Sequence, residues 1–313
     1  MRFSRREIIG VALAFFLVVI YLAARPPASF TSGTIVRIEH GTSVPDIATE
    51  LARAHIVEHP TILRTILRLS GQSEQVQTGV YQFAAPENVL TIARRLIAGD
   101  YGLPPVRITF VEGVTVREAA AQVADALPTT SAANFFVLAK PHEGYLFPDT
   151  YFFQPSTDEA TIVSTMQANF TAKVAPMEKD ITASGHSLSE IVTMASLIEK
   201  EARTTADRRM VAGILWNRIK AGMPLQVDAV FGYIFNRDTY SPSYADLKVD
   251  SLYNTYLHKG LPPGPICNPG LDALEAAITP TATDYLYYLT DKNGIMHYAT
   301  TYAAHQSNQR KYL

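Results

Sequence analysis

The stretch HSLSEIVTMASLIEKEAR, residues 186–203, predicts a long helix in the C-terminal half of the chain. Ser187 is followed three residues later by Glu190, which is the capping-box pattern, so the helix should begin directly after Ser187. The same stretch carries two glutamates, Glu199 and Glu201, only two residues apart. At that spacing their side chains point in different directions, so they are expected to have different surroundings.

The two glutamates fall on different sides of the predicted helix. Counted from Ile191 at about 100° per residue, Glu199 lies at roughly 80°, within the apolar arc, and Glu201 at roughly 280°, on or beside the polar side. The pattern therefore predicts a buried Glu199 and an ordinary surface charge at Glu201. A carboxyl group in apolar surroundings has a raised pKa and is a competent general acid. Buried glutamates also pair with arginine for structural reasons, so the pattern alone leaves both roles open for Glu199.

Four stretches around this helix are rich in tyrosine, asparagine, glutamine, aspartate, proline and glycine. They are EGYLFPDTY at 143–151, MPLQVD at 223–228, LYNTY at 252–256 and GLPPGPICNPG at 260–270. Aromatic faces beside amide and carboxylate groups suit a sugar, because sugar rings stack on tyrosine while hydroxyls need directed donors and acceptors. Each stretch taken singly is typical of loop architecture, since proline and glycine shape turns. Together they favour a cleft for a carbohydrate.

The C-terminal end predicts a β-hairpin. The stretch YLYYLTDKNGIMHYAT, residues 285–300, places two aromatic-rich strands around an Asn293-Gly294 turn. His297 and His305 have no partners at metal-ligand spacing, so no zinc site is expected. The sequence suggests no cofactor.

The composition describes a globular chain of about two domains. Of its 313 residues, 47% are hydrophobic and 18% charged, with a formal net charge of −2. This balance lacks the clustered basic residues of a nucleic-acid-binding surface. Cys267 is the only cysteine, which excludes an internal disulfide and any multi-cysteine metal site.

The N-terminus predicts a membrane anchor. The uncharged run at residues 8–24 has about the length of a short membrane span. Arg2, Arg5 and Arg6 precede it, which places the N-terminus in the cytoplasm and the rest of the chain on the periplasmic or extracellular side. A cleaved signal peptide is the alternative, but a cut after Ala24 lacks the small residue three positions back. We therefore predict an uncleaved, single-pass anchor in the cytoplasmic (inner) membrane.

The remaining chain reads as a small module followed by a larger domain of the α+β class. Residues 1–33 contain the cytoplasmic tail, the anchor and a linker rich in proline, serine and glycine. Residues 34–104 follow a strand-helix-helix-strand pattern, with Ser43 as the predicted cap of the first helix. The segment YGLPP at 101–105 is the predicted boundary, and residues 105–313 form the domain that carries the helix with the two glutamates.

Six motifs of this sequence resemble those of the YceG-like (MltG) family of endolytic murein transglycosylases. The resemblance rests on ASLIEKEA, MPLQVD, LYNTY, GLPPGPICNPG, EGYLFPDTY and the closing HYATTYAAH, and it extends over essentially the whole chain. The first module is similar to a LysM domain in its layout. The chain departs from the family near Val230, where a threonine is usual, and at Leu252, where proline is frequent.

This resemblance implies a catalytic domain that cleaves the β-1,4 bond between N-acetylmuramic acid and N-acetylglucosamine inside glycan strands, leaving a 1,6-anhydro end. One carboxyl group would act twice in that reaction, first as acid and then as base. The resemblance places Glu199 at the position of the catalytic glutamate. The predicted substrate-binding residues are Gln226, Asp228, Tyr253, Asn254 and Tyr145. The resemblance also implies that the protein terminates or trims nascent strands. The implied partners are peptidoglycan synthases of the elongation or division machinery, and no nucleic acid is expected as a partner.

Two alternatives stay open. The first is a hydrolase that acts on the same polymer with two carboxylates, in which Asp149 or Asp228 stands opposite Glu199. The second is a glycan-binding scaffold without catalysis, in which the first module holds peptidoglycan. A buried carboxyl group is of no use to a pure binder, which argues against the scaffold.

Overall fold

The computed structural model describes residues 25–237 and 242–313. The predicted anchor at residues 8–24 lies outside the described residues, so it stays a prediction. Within the described ranges, no helix combines the length and the apolar character needed to cross a bilayer.

The described chain divides into two compact units. One contains the residues up to Val106 together with Phe152–Thr157, and the other contains Arg107–Tyr151 and Asp158–Leu313. Both units combine helices with small two-stranded sheets, so the predicted α+β class is confirmed.

The first unit has a strand-helix-helix-strand order followed by a third helix. Its elements are β1 (Thr34–Ile38), α1 (Val44–Arg53), α2 (Pro60–Leu69), β2 (Gly79–Phe83) and α3 (Val89–Ala98). The strands are antiparallel, with Thr34 opposite Phe83. The Ser43 hydroxyl accepts from the backbone of Asp46 and caps α1, as predicted. The element order is therefore confirmed, while the LysM-like identity stays a prediction.

The second unit is mainly helical. Strands β3 (Val106–Thr109) and β4 (Thr150–Phe153) contain residues assigned to both units. The other elements are α4 (Val116–Ala126), α5 (Ala132–Ala139), α6 (Glu159–Val174), α7 (Glu178–Ser184), α8 (Leu188–Glu201), α9 (Thr205–Lys220), α10 (Ala229–Phe235), α11 (Leu271–Ile278), β5 (Tyr287–Thr290), β6 (Met296–Ala299) and α12 (Tyr302–Tyr312).

Helix α8 is the centre of this unit. Its capping box between Ser187 and Glu190 is present, so the predicted start of the helix is confirmed. Every residue from 191 to 198 is buried, and α8 packs against α9, α10 and α11. The two glutamates follow this buried stretch directly, in the last turn, and Ala202 ends the helix in an extended conformation. The carboxyl groups of α8 therefore emerge where the helix leaves the core.

The predicted hairpin is confirmed. Strands β5 and β6 pair from Tyr287 opposite Ala299 to Thr290 opposite Met296. In the connecting loop Gly294 has a φ of +81°, a conformation that favours glycine. The hairpin brings aromatic side chains from the C-terminal end of the chain to the end of α8.

Candidate functional site

A cleft of about 1020 Å³ opens in the second unit. This volume is at the upper end of the range for small-ligand sites and suits an extended ligand. Charged and aromatic side chains line it, among them Arg117, Lys140, Glu143, Glu201, Asp228 and Tyr233. Among the described residues, the lining includes Glu201 but not Glu199.

Glu201 is the last residue of α8 and belongs to the lining of this cleft. The Tyr288 hydroxyl donates to Oε2 of Glu201 at 2.9 Å, and the backbone N–H of Ala229 donates to the same carboxyl group. Burial raises the pKa of Glu201 to about 6, because loss of solvent disfavours the charged form. The two hydrogen bonds act in the opposite direction, while the nearby charge of Asp228 raises the pKa further. Glu201 thus has the protonation behaviour of a general acid near neutral pH.

The prediction that Glu201 is an ordinary surface charge is wrong. The helical projection treated its direction, roughly 280° from Ile191, as polar. Met194 at roughly 300° and Leu197 at roughly 240° point to the same side, and both are fully buried. The side of α8 that was expected to meet solvent at Glu201 instead meets strand β5, through Tyr288, and the start of α10, through Ala229.

Glu199 is buried as predicted, but its carboxyl group is held by structural partners. Its side chain is 5% exposed. Nη2 of Arg208 lies 2.7 Å from Oε1, and the Gly270 N–H donates to Oε2 at 2.9 Å. The other amino group of Arg208 lies 2.6 Å from a carboxylate oxygen of Asp272. Glu199 therefore joins α8 to α9 and to the start of α11.

Asp228 lies in the cleft as predicted. Its Oδ1 accepts from the Tyr256 hydroxyl at 2.5 Å, which fixes the orientation of the carboxyl group. Gln226, two residues earlier, has a φ of +52°. Such a backbone conformation is uncommon outside glycine and marks loops that are held in place for function. The Gln226 N–H donates to the carbonyl of Thr255 at 3.1 Å, which ties this loop to the following motif.

The Asn254 side chain bonds within its own loop. Asn254 is fully buried, and its amide group donates to the carbonyls of Leu247 and Val249. These two bonds satisfy both donors of the amide group, so Asn254 shapes the loop.

Two predicted tyrosines also differ in their surroundings. The Tyr145 ring packs edge-on against Phe170, with 5.1 Å between centroids, and is a partly buried neighbour of the apolar core. The Tyr253 ring lies 5.1 Å from the ring of Tyr233, which lines the cleft.

The GLPPGPICNPG stretch organises the loops next to the site. Asn268 is fully buried, and its Oδ1 accepts from the backbone N–H groups of Gly144 and Leu146. Its Nδ2 donates to the carbonyl of Val114 at 3.0 Å. Gly144 has a φ of +87°, and a Cβ there would overlap Pro265. One amide side chain thus joins the segments around Val114, Gly144 and Asn268 itself, which lie far apart in the sequence.

The comparisons with known proteins agree with this arrangement of motifs. The model of the YceG-like family matches residues 36–311. The chain belongs to the YceG-like family. The match extends over nearly all of both compact units, including every lining residue of the cleft.

Proteins from several bacteria are similar to this chain. The endolytic murein transglycosylase of Bacillus subtilis (strain 168) is 32% identical over 305 residues, which cover 89% of this chain and 84% of that protein. The endolytic murein transglycosylase of Streptococcus pneumoniae serotype 2 (strain D39) is 28% identical over 320 residues, and the match covers 89% of this chain but 58% of that longer protein. A crystal structure of a yceG-like protein from Listeria monocytogenes has a TM-score of 0.61 and 28% identity, covering 88% of this chain and 99% of that one.

Sequence reasoning missed two residues at the site of this YceG-like chain. Tyr288 lies in the hairpin, 87 residues after its partner Glu201, and only the aromatic pattern of the strand marked it. Lys140 stands on the cleft wall, where its Nζ contacts the Tyr233 hydroxyl and lies 3.2 Å from Oε2 of Glu143. Neither residue lies in a motif that singles it out, and the fold brings both to the cleft.

His297 of the C-terminal motif has partners within the hairpin and the last helix. Nε2 of His297 lies 3.0 Å from Oδ2 of Asp291 within the hairpin, and its ring stacks on Tyr312. Across residues 25–237 and 242–313, no group of three or more histidine, cysteine, aspartate or glutamate residues could hold a metal ion.

Proposed function

We propose that this protein is a peptidoglycan lytic transglycosylase in which Glu201 is the catalytic acid and base. The observation that carries the proposal is the Glu201 carboxyl group, which lines a large cleft and has a pKa raised to about 6. The membership of the YceG-like family and the names of the Bacillus and Streptococcus relatives support the substrate class. This proposal moves the catalytic role from Glu199, which the sequence favoured, to its neighbour in the same motif.

The reaction follows from one carboxyl group used twice. Protonated Glu201 donates its proton to the glycosidic oxygen as the bond from that oxygen to C1 of N-acetylmuramic acid breaks. N-acetylglucosamine leaves with a free 4-hydroxyl group. The Glu201 carboxylate then takes the proton of the C6 hydroxyl as O6 bonds to C1. Glu201 ends protonated, no water is consumed, and the product carries a 1,6-anhydro ring.

The surroundings of Glu201 suit both halves of this reaction. Its raised pKa keeps a usable fraction protonated at neutral pH for the first step. The hydrogen bonds from Tyr288 and Ala229 stabilise the carboxylate that the first step leaves. The C6 hydroxyl is already held beside C1 of the same sugar, so its effective concentration far exceeds that of a solvent molecule.

A two-carboxylate hydrolase is the second candidate, because Asp228 lines the same cleft as Glu201. In that reaction Asp228 would activate water or act as the nucleophile. The other carboxylate considered from the sequence, Asp149, accepts from the Thr150 N–H and from Asn169 and does not belong to the cleft lining of the described chain. The single-carboxyl reaction is favoured, because the Bacillus and Streptococcus relatives are named transglycosylases.

Product analysis decides between the two reactions. Purified sacculi are digested with the full-length protein in ordinary water and in heavy-oxygen water, and the released muropeptides are analysed by mass spectrometry. We expect 1,6-anhydro-N-acetylmuramic acid ends without the heavy label, at masses lower by one water than hydrolysis products. Release from strand interiors, as opposed to strand ends, is expected for endolytic cleavage. Labelled reducing ends would overturn the lytic reaction and favour the hydrolase with Asp228.

The place of action is a further part of the proposal. We infer from the uncharged run at residues 8–24 that the protein is anchored in the cytoplasmic membrane and works on nascent strands beside the peptidoglycan synthases. Fractionation of cells with an antibody against the C-terminal unit, followed by sequencing of the mature N-terminus, tests this. Recovery in the soluble fraction with an N-terminus near Arg25 would contradict the anchor.

A further inference from the structure

Tyr288 makes a specific contact with the proposed catalytic carboxyl group. Its hydroxyl oxygen lies 2.9 Å from Oε2 of Glu201, and it is the phenol that donates. A protonated carboxyl group carries its proton on one oxygen and accepts best on the other. Oε2 of Glu201 therefore accepts from Tyr288, while the backbone N–H of Ala229 donates to the same carboxyl group.

The backbone that carries Tyr288 is held in place by a buried arginine. Arg218 in α9 is 6% exposed, and its Nε donates to the carbonyl of Leu286 at 2.6 Å, two residues before Tyr288. The same guanidinium donates to the carbonyl of Leu225 at 2.6 Å and lies over the ring of Tyr287. Arg218 thus links strand β5 to the loop that leads to Asp228. This one side chain therefore helps to position both Tyr288 and Asp228, the two neighbours of the Glu201 carboxyl group.

Tyr288 stays a donor over the whole working pH range. Burial and the neighbouring Glu201 charge raise the pKa of the Tyr288 hydroxyl well above its ordinary value. It therefore does not ionise before Glu201 does.

Other charged groups also act on Glu201. Asp228 lies at the start of α10, and its charge opposes ionisation of Glu201. The cleft wall carries further charged groups of both signs, namely Arg117, Glu118, Lys140, Glu143, Lys200 and Arg237. Tyr288, on β5, donates a hydrogen bond from its side chain to Glu201.

We propose that Tyr288 is a positioning residue for the reaction, which orients the Glu201 carboxyl group and stabilises the carboxylate formed after proton donation. This inference rests on the proposed role of Glu201. A hydrogen bond to a charged group is stronger than one to a neutral group, so the contact tightens as the proton leaves. Tyr288 thus makes Glu201 a stronger acid than its burial alone would allow.

The test is the pH profile of Tyr288→Phe, measured as kcat and kcat/KM on isolated glycan strands with the full-length protein. The matched control is Tyr298→Phe, on the partner strand of the same hairpin, whose hydroxyl donates to Asp207 at 2.8 Å. We expect Tyr288→Phe to lower kcat by about tenfold or more, with KM changed by less than about twofold, because a charge-assisted bond that forms fully only during the reaction is lost. We also expect the alkaline limb of kcat/KM to move to higher pH by about one unit, since Glu201 becomes a weaker acid. The control should leave both parameters and the limb unchanged.

A second variant keeps the test decisive if Tyr288→Phe folds poorly. A 3-fluorotyrosine placed at position 288 by stop-codon suppression keeps the shape and makes the hydroxyl a stronger donor. It should move the alkaline limb to lower pH, which a purely structural role would not do. The role of Tyr288 would be overturned if the alkaline limb of kcat/KM stayed at the native pH in both variants while their thermal unfolding resembled that of the control.

Glu201→Gln is measured beside them to separate the two proposals. If Glu201→Gln is inactive while the Tyr288 variants keep the native pH limb, the inference alone is wrong. If Glu201→Gln retains activity, the proposed catalytic role of Glu201 fails and the inference fails with it.

Discussion

Nη2 of Arg208 lies 2.7 Å from Oε1 of Glu199, in a pair that is nearly closed to solvent on both sides. Two residues further along α8, the Glu201 carboxyl group has no arginine at this distance within the described chain, and Glu201 lines the cleft instead. One helical turn thus carries one carboxyl group that pairs with an arginine and another that belongs to the cleft lining. Single substitutions of the two glutamates should therefore have different effects on activity and on stability.

Glu201→Gln should lower glycan cleavage by at least about a hundredfold, because the side chain keeps its size and loses the titrating proton. Glu199→Gln should retain most of the activity of the folded protein but lower the free energy of unfolding by about 1–3 kcal/mol, because a buried charge-assisted bond to Arg208 is weakened. Cleavage assays and urea unfolding on both purified variants check this. The opposite result, an inactive Glu199→Gln of normal stability beside an active Glu201→Gln, would restore the catalytic role to Glu199.

The pH dependence of catalysis should follow the Glu201 carboxyl group. Its pKa is raised to about 6, so the acid form required for the first step is lost above that pH. The value of kcat/KM on isolated strands should therefore fall about tenfold per pH unit above the limb, since it reports the free enzyme. A profile that stays flat from pH 5 to 9 would contradict a titrating acid at this position.

Asp228→Asn should move that limb in the opposite direction to Tyr288→Phe. The Asp228 charge opposes ionisation of Glu201, so its removal lowers the pKa of Glu201 and shifts the limb to lower pH. The variant should still release anhydro products, because the single-carboxyl reaction does not use Asp228 as a nucleophile. Complete loss of cleavage in a folded Asp228→Asn protein would instead favour the two-carboxylate hydrolase.

The raised pKa of Glu201 also predicts a stability effect that needs no substrate. The folded pKa of about 6 exceeds the ordinary value of 4.5, so the stability associated with this group is present at low pH and is lost as pH rises through that interval. Glu201→Gln does not titrate there. Its unfolding free energy relative to the native protein should increase between pH 4.5 and 7, by about 2 kcal/mol for a shift of about 1.5 units.

Urea unfolding of the native protein and of Glu201→Gln across that pH range measures this difference. Other titrating groups are common to both proteins and cancel. A difference that does not change with pH would show that Glu201 has an ordinary pKa in the folded state.

Local signals predicted local structure well. The capping box at Ser187 and Glu190 predicted where α8 begins, and the Asn293-Gly294 pair predicted the hairpin. These features depend on residues a few positions apart, whose geometry is set by backbone preferences. The burial of Glu199 followed from helical periodicity for the same reason.

The site itself depended on contacts that local signals do not contain. The partner of Glu201 comes from a strand 87 residues later, so no periodicity of α8 could reveal that its supposed polar side is covered. Asn254 lies in a motif that resembles a binding loop, yet its amide groups satisfy buried carbonyls. Composition identifies such polar residues without stating whether they face a ligand or their own backbone.

The side chain of Asn268 has a consequence for the order of events during synthesis. It joins Val114, 154 residues earlier, to the segment around Gly144, 124 residues earlier. A ribosome or translocation channel delivers the chain from its N-terminus, so these earlier segments must wait, without their partner, until position 268 has emerged. Contacts at such separation form late, since closing a long loop has an entropic cost that is offset only when they form. The cleft is therefore completed after most of the chain has been delivered, and a chain stopped before this asparagine is expected to lack cleavage activity.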